Sequence, residues 1–238
     1  MPSVKSVLAS AAALAASVAA QSPAGYTPST FMPLGVSFNG DVLLPSEELP
    51  QSIPDTYNPS VFSPGLYLDK YMLLMVDLSI PYYVTPYTAD EYPSLVPGLG
   101  ANRTTRLHWW QTNVTHNLAT GAFEYNSSTA LAPFAGPQPP PNDTFHDYTI
   151  WLFPQPRNFV PPAAAVAGEF QDLGTNDRFN FSLPALVAQV GNPIAANYFR
   201  TENAGNAGAP TVPTLAIPGT SITVPGPQAP ASKNKKAH

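Results

Sequence analysis

The sequence predicts a mainly β fold, an antiparallel β-sandwich with one or two short helices near the C-terminus. Three observations carry that prediction. The apolar residues fall in short runs bounded by proline and glycine rather than in long helical stripes. The strongest runs are rich in aromatic and β-branched residues, which suit a pleated, half-buried surface. And 30 prolines among 238 residues leave little room for long helices, because proline lacks an N–H and its ring clashes with the preceding turn. With 44% hydrophobic residues the chain can build a core, and its length suits one good-sized domain.

Residues 1–20 carry one early positive charge, Lys5, then an apolar run and then Val18-Ala19-Ala20. That is the pattern of a secretory signal peptide, with Gln21 as the expected mature start. Residues 21–55 are rich in proline and serine and read as short strands and turns, as in "FMPLGVSFNG" and "DVLLP". The first strong element is "YMLLMVDLSIPYY", a continuous apolar run that suits a strand buried on both faces. Residues 84–106 read as a long polar loop. "RLHWWQTNVT" is the second strand, and "GAFEYNSSTA" a loop or weak strand. The third is "HDYTIWLFPQ", where alternation puts His146, Tyr148, Ile150 and Leu152 on one face and Asp147, Thr149, Trp151 and Phe153 on the other.

Two helices are expected. "AAAVAGEF", 163–170, is a short candidate. "SLPALVAQVGNP" is stronger: Ser182 can cap it, Pro184 sits in the first turn, Gly191 stops it and Pro193 forbids continuation. "IAANYF" follows as a short strand or a turn of helix. Residues 205–238 are rich in proline, glycine and alanine and are expected to form a flexible tail.

Charged residues make up only 11% of the chain, against roughly 25% in an ordinary soluble domain. Glycans would supply the missing polarity: N-x-S/T sequons stand at Asn102, Asn113, Asn126, Asn142 and Asn180. The chain has no cysteine, which excludes a disulfide framework, a thiol nucleophile and a cysteine metal site. The formal net charge is −5, and loss of Lys5 with the signal segment makes it one unit more negative. There is no basic stripe, so nucleic acid is not an expected partner. Beyond the leader no stretch reaches the roughly 20 apolar residues of a transmembrane helix. A secreted protein, extracellular or wall-associated, is the expectation.

The candidate chemistry sits at strand ends. Asp77 closes the run "YMLLMVD", His108 lies in "LHWW", and His146 opens the third strand with Tyr148 two residues on. A carboxylate, two imidazoles and a phenol beside a stiff loop could form a polar pocket in apolar surroundings. Each also has a plainer reading: His108 as a satisfied core histidine, Asp77 as an acceptor for backbone N–H groups, Tyr148 as a core aromatic with its hydroxyl at a rim. The proline-rich loop ahead of "HDYTIWLF" reads as either a rigid turn or a pocket wall with His146 at its mouth. His116 reads as a surface-loop residue.

The order of these motifs resembles the phosphatidylethanolamine-binding protein family. That family carries D-P-D-x-P, then H-W, then G-P-x-P-P followed by H-R-Y and an apolar strand. The corresponding stretches are "DLSIP" from Asp77, "HW" at His108-Trp109, and "GPQPPPNDTFHDYTIWLF" with Gly136, Pro137, Pro139, Pro140, His146 and Tyr148 in register. "DRFNFSLPALVAQVGNPIAANYF" is similar to the family's closing R-x-F segment, helix and last strand. The likeness runs over about residues 40–202. It implies a domain at 21–204 and a ligand site of Asp77, His108, Gly136, Pro137, His146 and Tyr148. In the family that site accepts phosphate-like head groups, and the likeness makes the proline-rich loop its wall, holding His146 at the base. Two departures bear on ligand preference: Ser79 stands where the family has a second aspartate, and Asp147 where it has arginine.

The expected function is therefore a non-enzymatic protein that binds a small anionic or lipid head group, with no cofactor and no metal. A second reading is a protein inhibitor of a serine carboxypeptidase or other protease, acting by surface contact. A hydrolase built on Asp77, His108 and Ser79 has the residue types of a triad but no G-x-S-x-G elbow.

Overall fold

A computed structural model of the chain describes residues 21–63, 70–81, 103–141, 143–162 and 178–203. These all belong to the first of two units, Met1–Gly208 and Ala209–His238. The signal segment, the helix expected at 163–170, the tail at 205–238 and most of the loop expected at 84–106 lie outside the described residues.

The elements are β1 (Gly35–Phe38), β2 (Asp41–Val42), β3 (Glu47–Glu48), α1 (Ser52–Thr56), β4 (Ser60–Phe62), β5 (Tyr71–Pro81), β6 (Arg103–His116), β7 (Phe123–Glu124), β8 (Ala130–Ala132), β9 (His146–Pro154), α2 (Leu183–Val190) and β10 (Ala195–Thr201). A small sheet runs β2-β1-β4, and a seven-stranded sheet runs β3-β10-β9-β5-β6-β7 with β8 also on β6. All named pairs are antiparallel except β3 with β10. The expected β-sandwich is thus present, with one parallel pair.

β5 lies in the middle of the large sheet, between β9 and β6, and all eleven of its residues are buried. Its side chains divide strictly. Tyr71, Leu73 and Met75 enter one core with Trp109, Ile150, Leu152 and Phe199, covered by Val36, Phe38 and Val61 of the small sheet. Met72, Leu74, Val76 and Leu78 enter the other with Trp110, Trp151 and Phe153, covered by Phe181 and by Leu183 and Leu186 of α2. A strand covered on both faces needs apolar residues at every position, which is why "YMLLMV" shows no alternation.

α2 begins and ends as its sequence predicts. The Ser182 hydroxyl accepts from the Ala185 N–H at 3.3 Å, and Gly191 takes φ 86°, open to glycine and strained for other residues. β10 resolves the strand-or-helix alternative for "IAANYF" as strand, and β4 was not expected. β6 begins at Arg103, so Arg103–Arg106 belong to a strand rather than to the polar loop. They pair with the end of β5, Asp77 with Arg106 and Pro81 with Arg103. His116 is likewise not a loop residue. It ends β6, half-buried against Phe123, with Nε2 at 3.0 Å from the Ser63 carbonyl.

The β5–β6 ladder slips twice near the polar residues. Met75 faces Trp109 and Val76 faces Leu107, so His108 has no partner in the ladder. Asp77 faces Arg106 and Ile80 faces Thr104, leaving Leu78 and Ser79 opposite Thr105 alone. Such β-bulges re-aim side chains and recur beside functional sites.

Candidate ligand-binding site

The two bulges and the start of β9 bring Asp77, His108, His146 and Tyr148 into one buried cluster. All four are at most 1% exposed. Asp77 sits at the turn of the second bulge. Its Oδ1 accepts from the Ser79 N–H at 2.7 Å, and its Oδ2 lies 2.8 Å from His146 Nδ1. Burial opposes the charge on Asp77, but His146 outweighs it and holds the carboxyl below its usual range. Burial likewise opposes protonation of His146. Asp77 on one nitrogen and Asp143 on the other outweigh that and raise its pKa.

Asp143 is the residue the sequence reading missed. Its Oδ2 lies 3.0 Å from His146 Nε2. The Arg103 guanidinium grips both of its oxygens, at 2.6 and 2.8 Å, and the Thr144 N–H donates to Oδ1 at 2.8 Å. Arg103 holds its carboxyl far below the usual range. His146 is therefore not at a mouth. It is fully buried between two carboxylates.

His108 has the opposite character. Its Nδ1 faces the Ala135 and Gly136 carbonyls at 3.1 and 3.0 Å. Carbonyls only accept, so Nδ1 carries the hydrogen and Nε2 presents a lone pair. Burial, then the nearby Arg106 charge, depress its pKa to about 3, and the ring is neutral. Nε2 is buried with no hydrogen-bond partner. The Tyr148 ring meets it edge-on at 5.2 Å and stacks on His146 at 6.2 Å. Burial, then the charge of Asp77, raise the phenol pKa well above its usual value. Asp77 is near enough to act on the hydroxyl, yet that hydroxyl makes no hydrogen bond of normal geometry.

The proline-rich loop packs against His108 on one side and α1 on the other. Its carbonyls fix His108, and the Gln51 amide beside α1 donates to the Pro137 carbonyl at 3.0 Å. A Cβ on Gly136 would stand 2.7 Å from Asp55 Cα and 3.1 Å from the Pro54 carbonyl oxygen, so only glycine lets loop and helix meet. Arg178, 1% exposed, ties the loop to β6 from below through the carbonyls of His108 (3.2 Å) and Pro133 (3.0 Å).

The two departures are absorbed locally. The Ser79 hydroxyl accepts from the Asp147 N–H at 2.9 Å, and its carbonyl accepts from Arg103. Asp147 pairs across the ladder with Arg200 at 3.3 Å. The Asp77, His108 and Ser79 triad does not assemble: the imidazole on Asp77 belongs to His146, and the Ser79 hydroxyl faces a backbone amide. Among the described residues no three histidine or acidic side chains converge as a metal site, and no helix is long and apolar enough to cross a membrane. Of the expected sequons, Asn113 and Asn126 are exposed and Asn180 is half-buried, with its amide oxygen taken by Thr104. Asn102 and Asn142 lie outside the described residues.

The mainly β fold thus carries this cluster within β5 and β6 and at the start of β9. The chain is a member of the phosphatidylethanolamine-binding protein family, whose model matches residues 63–207. It is 30% identical over 204 residues to phomoidride biosynthesis cluster protein N of Talaromyces stipitatus, covering 76% of this chain and 89% of that one. A protein of the same name from a fungal species is 31% identical over 93 residues, covering 39% and 42%. Similar solved structures include a carboxypeptidase Y inhibitor complexed with its cognate proteinase, at 15% identity and TM-score 0.49, covering 71% of this chain and 82% of that one. Another is the phosphatidylethanolamine-binding protein of Plasmodium vivax, at 16% and 0.44, covering 71% and 84%.

Proposed function

We propose that this chain is a secreted, non-enzymatic binding protein that takes a small phosphate-like anion or head group at Asp77, His108, His146 and Tyr148. One observation carries the reading: His108 Nε2 is buried with no hydrogen-bond partner, and the Tyr148 ring lies edge-on to the same imidazole at 5.2 Å. A buried polar group left unsatisfied costs about 1–3 kcal/mol, so His108 Nε2 marks a place where a ligand repays its own desolvation. His108 Nε2 needs a donor, and Tyr148 can donate. A phosphomonoester monoanion supplies both, an O–H for the imidazole and an oxygen for the phenol, and protonated His146 favours its charge. A carboxylate has no hydrogen for His108. Secretion rests on the leader pattern, and glycosylation at Asn113 and Asn126 on sequon and exposure together.

The test is calorimetric titration of the mature chain with phosphoethanolamine and inorganic phosphate, beside Tyr148→Phe. Wild type should bind and Tyr148→Phe should weaken binding by about tenfold, the worth of one hydrogen bond to a charged group. No heat with either ligand, or equal affinities, would overturn the reading.

A further inference from the structure

We propose that Asp143 is a built-in occupant of an anion position beside that cluster, formed by Arg103, His146 and the Thr144 amide, and that an external phosphomonoester binds by displacing it. The inference rests on the function proposed above and adds to it what regulates access.

Asp143 lies in the loop ahead of β9, three residues before His146. Its carboxylate accepts from four donors: both terminal nitrogens of Arg103 on β6 at 2.6 and 2.8 Å, His146 Nε2 at 3.0 Å, and the Thr144 N–H at 2.8 Å. A guanidinium fork, an imidazole and a backbone amide form the donor set that proteins use to hold carboxylates and phosphates. Here the chain fills it with its own carboxylate. The charges favour displacement. Asp143 sets its carboxylate directly against Arg103 and His146, so its departure removes one negative charge from the position, and three donor groups turn to the ligand. The occupant is also placed to leave. The Asp143 side chain is 7% exposed and that of Arg103 24%, whereas Asp77 and His146 beneath them are sealed. Asp77 belongs to the central strand and cannot move without the sheet, but Asp143 belongs to a loop.

The experiment titrates wild type, Asp143→Ala and the closer isostere Asp143→Asn with inorganic phosphate at fixed ionic strength. Thermal melting of each variant reports its fold, so Asp143→Asn carries the test if Asp143→Ala does not fold. The expected result is phosphate affinity at least about tenfold tighter in the variant, together with a phosphate-dependent rise in melting temperature larger than in wild type. Equal affinities would overturn the displacement and leave the binding function standing. Weaker binding by a folded variant would overturn it too, making Asp143 a ligand-holding residue instead. Absence of binding by wild type and variants alike would overturn both proposals, unless wild type binds phosphoethanolamine in a Tyr148-dependent way, in which case only the displacement fails. A second arm uses phosphatidylcholine vesicles containing phosphatidic acid. Tighter co-sedimentation of the variant assigns the phosphomonoester to a lipid surface, and a gain seen with free phosphate alone assigns it to a soluble ligand.

Discussion

His108 and His146 touch the same tyrosine and are driven in opposite directions by what surrounds them. His146 lies between two carboxylates and its pKa is raised. Its contribution to stability is complete below the unfolded value near 6.5 and is lost as pH rises through the folded pKa. His108 is buried beside Arg106 and Arg178, and its pKa falls to about 3. Between about pH 6.5 and 3 the unfolded chain takes up a proton that folded His108 refuses, so stability falls as pH falls. Asp77 and Asp143, both lowered, give stability that is present above about pH 4 and lost as pH falls through their folded values. Asp147, raised first by burial, runs the other way and softens the acid limb. Stability should therefore peak near pH 6.5 and fall on both sides, as urea unfolding across pH would measure. Asp77→Asn should lower the His146 pKa and pull the alkaline limb toward neutrality, read by imidazole NMR. An unshifted alkaline limb would show that His146 does not set it.

At the scale of elements, the proline-rich loop works because something holds it from both sides. Its carbonyls reach His108, and Gly136 lies against the backbone of α1. Gly136→Ala would put a methyl group 2.7 Å from Asp55 Cα, and neither backbone can yield cheaply. The expected cost is about 1–3 kcal/mol by chemical denaturation, with ligand affinity reduced because the Ala135 and Gly136 carbonyls shift off His108 Nδ1. Unchanged stability would show that loop and helix move together. The same scale explains what could be read in advance. β5, β9 and α2 announce themselves through an unbroken apolar run, strict alternation and a serine cap with a glycine stop. Asp77, His108, His146 and Tyr148 were legible because each sits at the end of, or within, a strongly patterned strand. Asp143 and Arg103 were not. Asp143 acts from an unpatterned loop, and Arg103 reaches it across forty residues. The bulges were not legible either, since adjacent Trp109 and Trp110 on opposite faces are what a regular strand gives.

Across the described domain, the central sheet is covered on both faces and the cluster lies within β5 and β6 and at the start of β9. The sheet supplies rigidity, and the loops supply the groups that can move: Asp143 before β9 and the proline-rich wall before that. The charge-poor surface is consistent with glycans at Asn113 and Asn126, both exposed on the described domain and neither among the residues that build the cluster.

His108 is supernumerary to the ladder. Without it, Leu107 and Trp109 would be consecutive, facing Val76 and Met75 as they already do, and the alternation between the two cores would become regular. An in-frame loss of that single codon should therefore leave the strand register intact, while taking from Arg178 and the Ala135 N–H the carbonyl they share, so the variant should keep its fold at reduced stability and lose the imidazole. A deletion scan along β6 would show one tolerated gap at codon 108 among intolerant neighbours, whereas uniform intolerance would mean that the bulge bears on folding as well. The sheet, on this view, carries the His108 imidazole as a one-residue insertion in an otherwise regular strand.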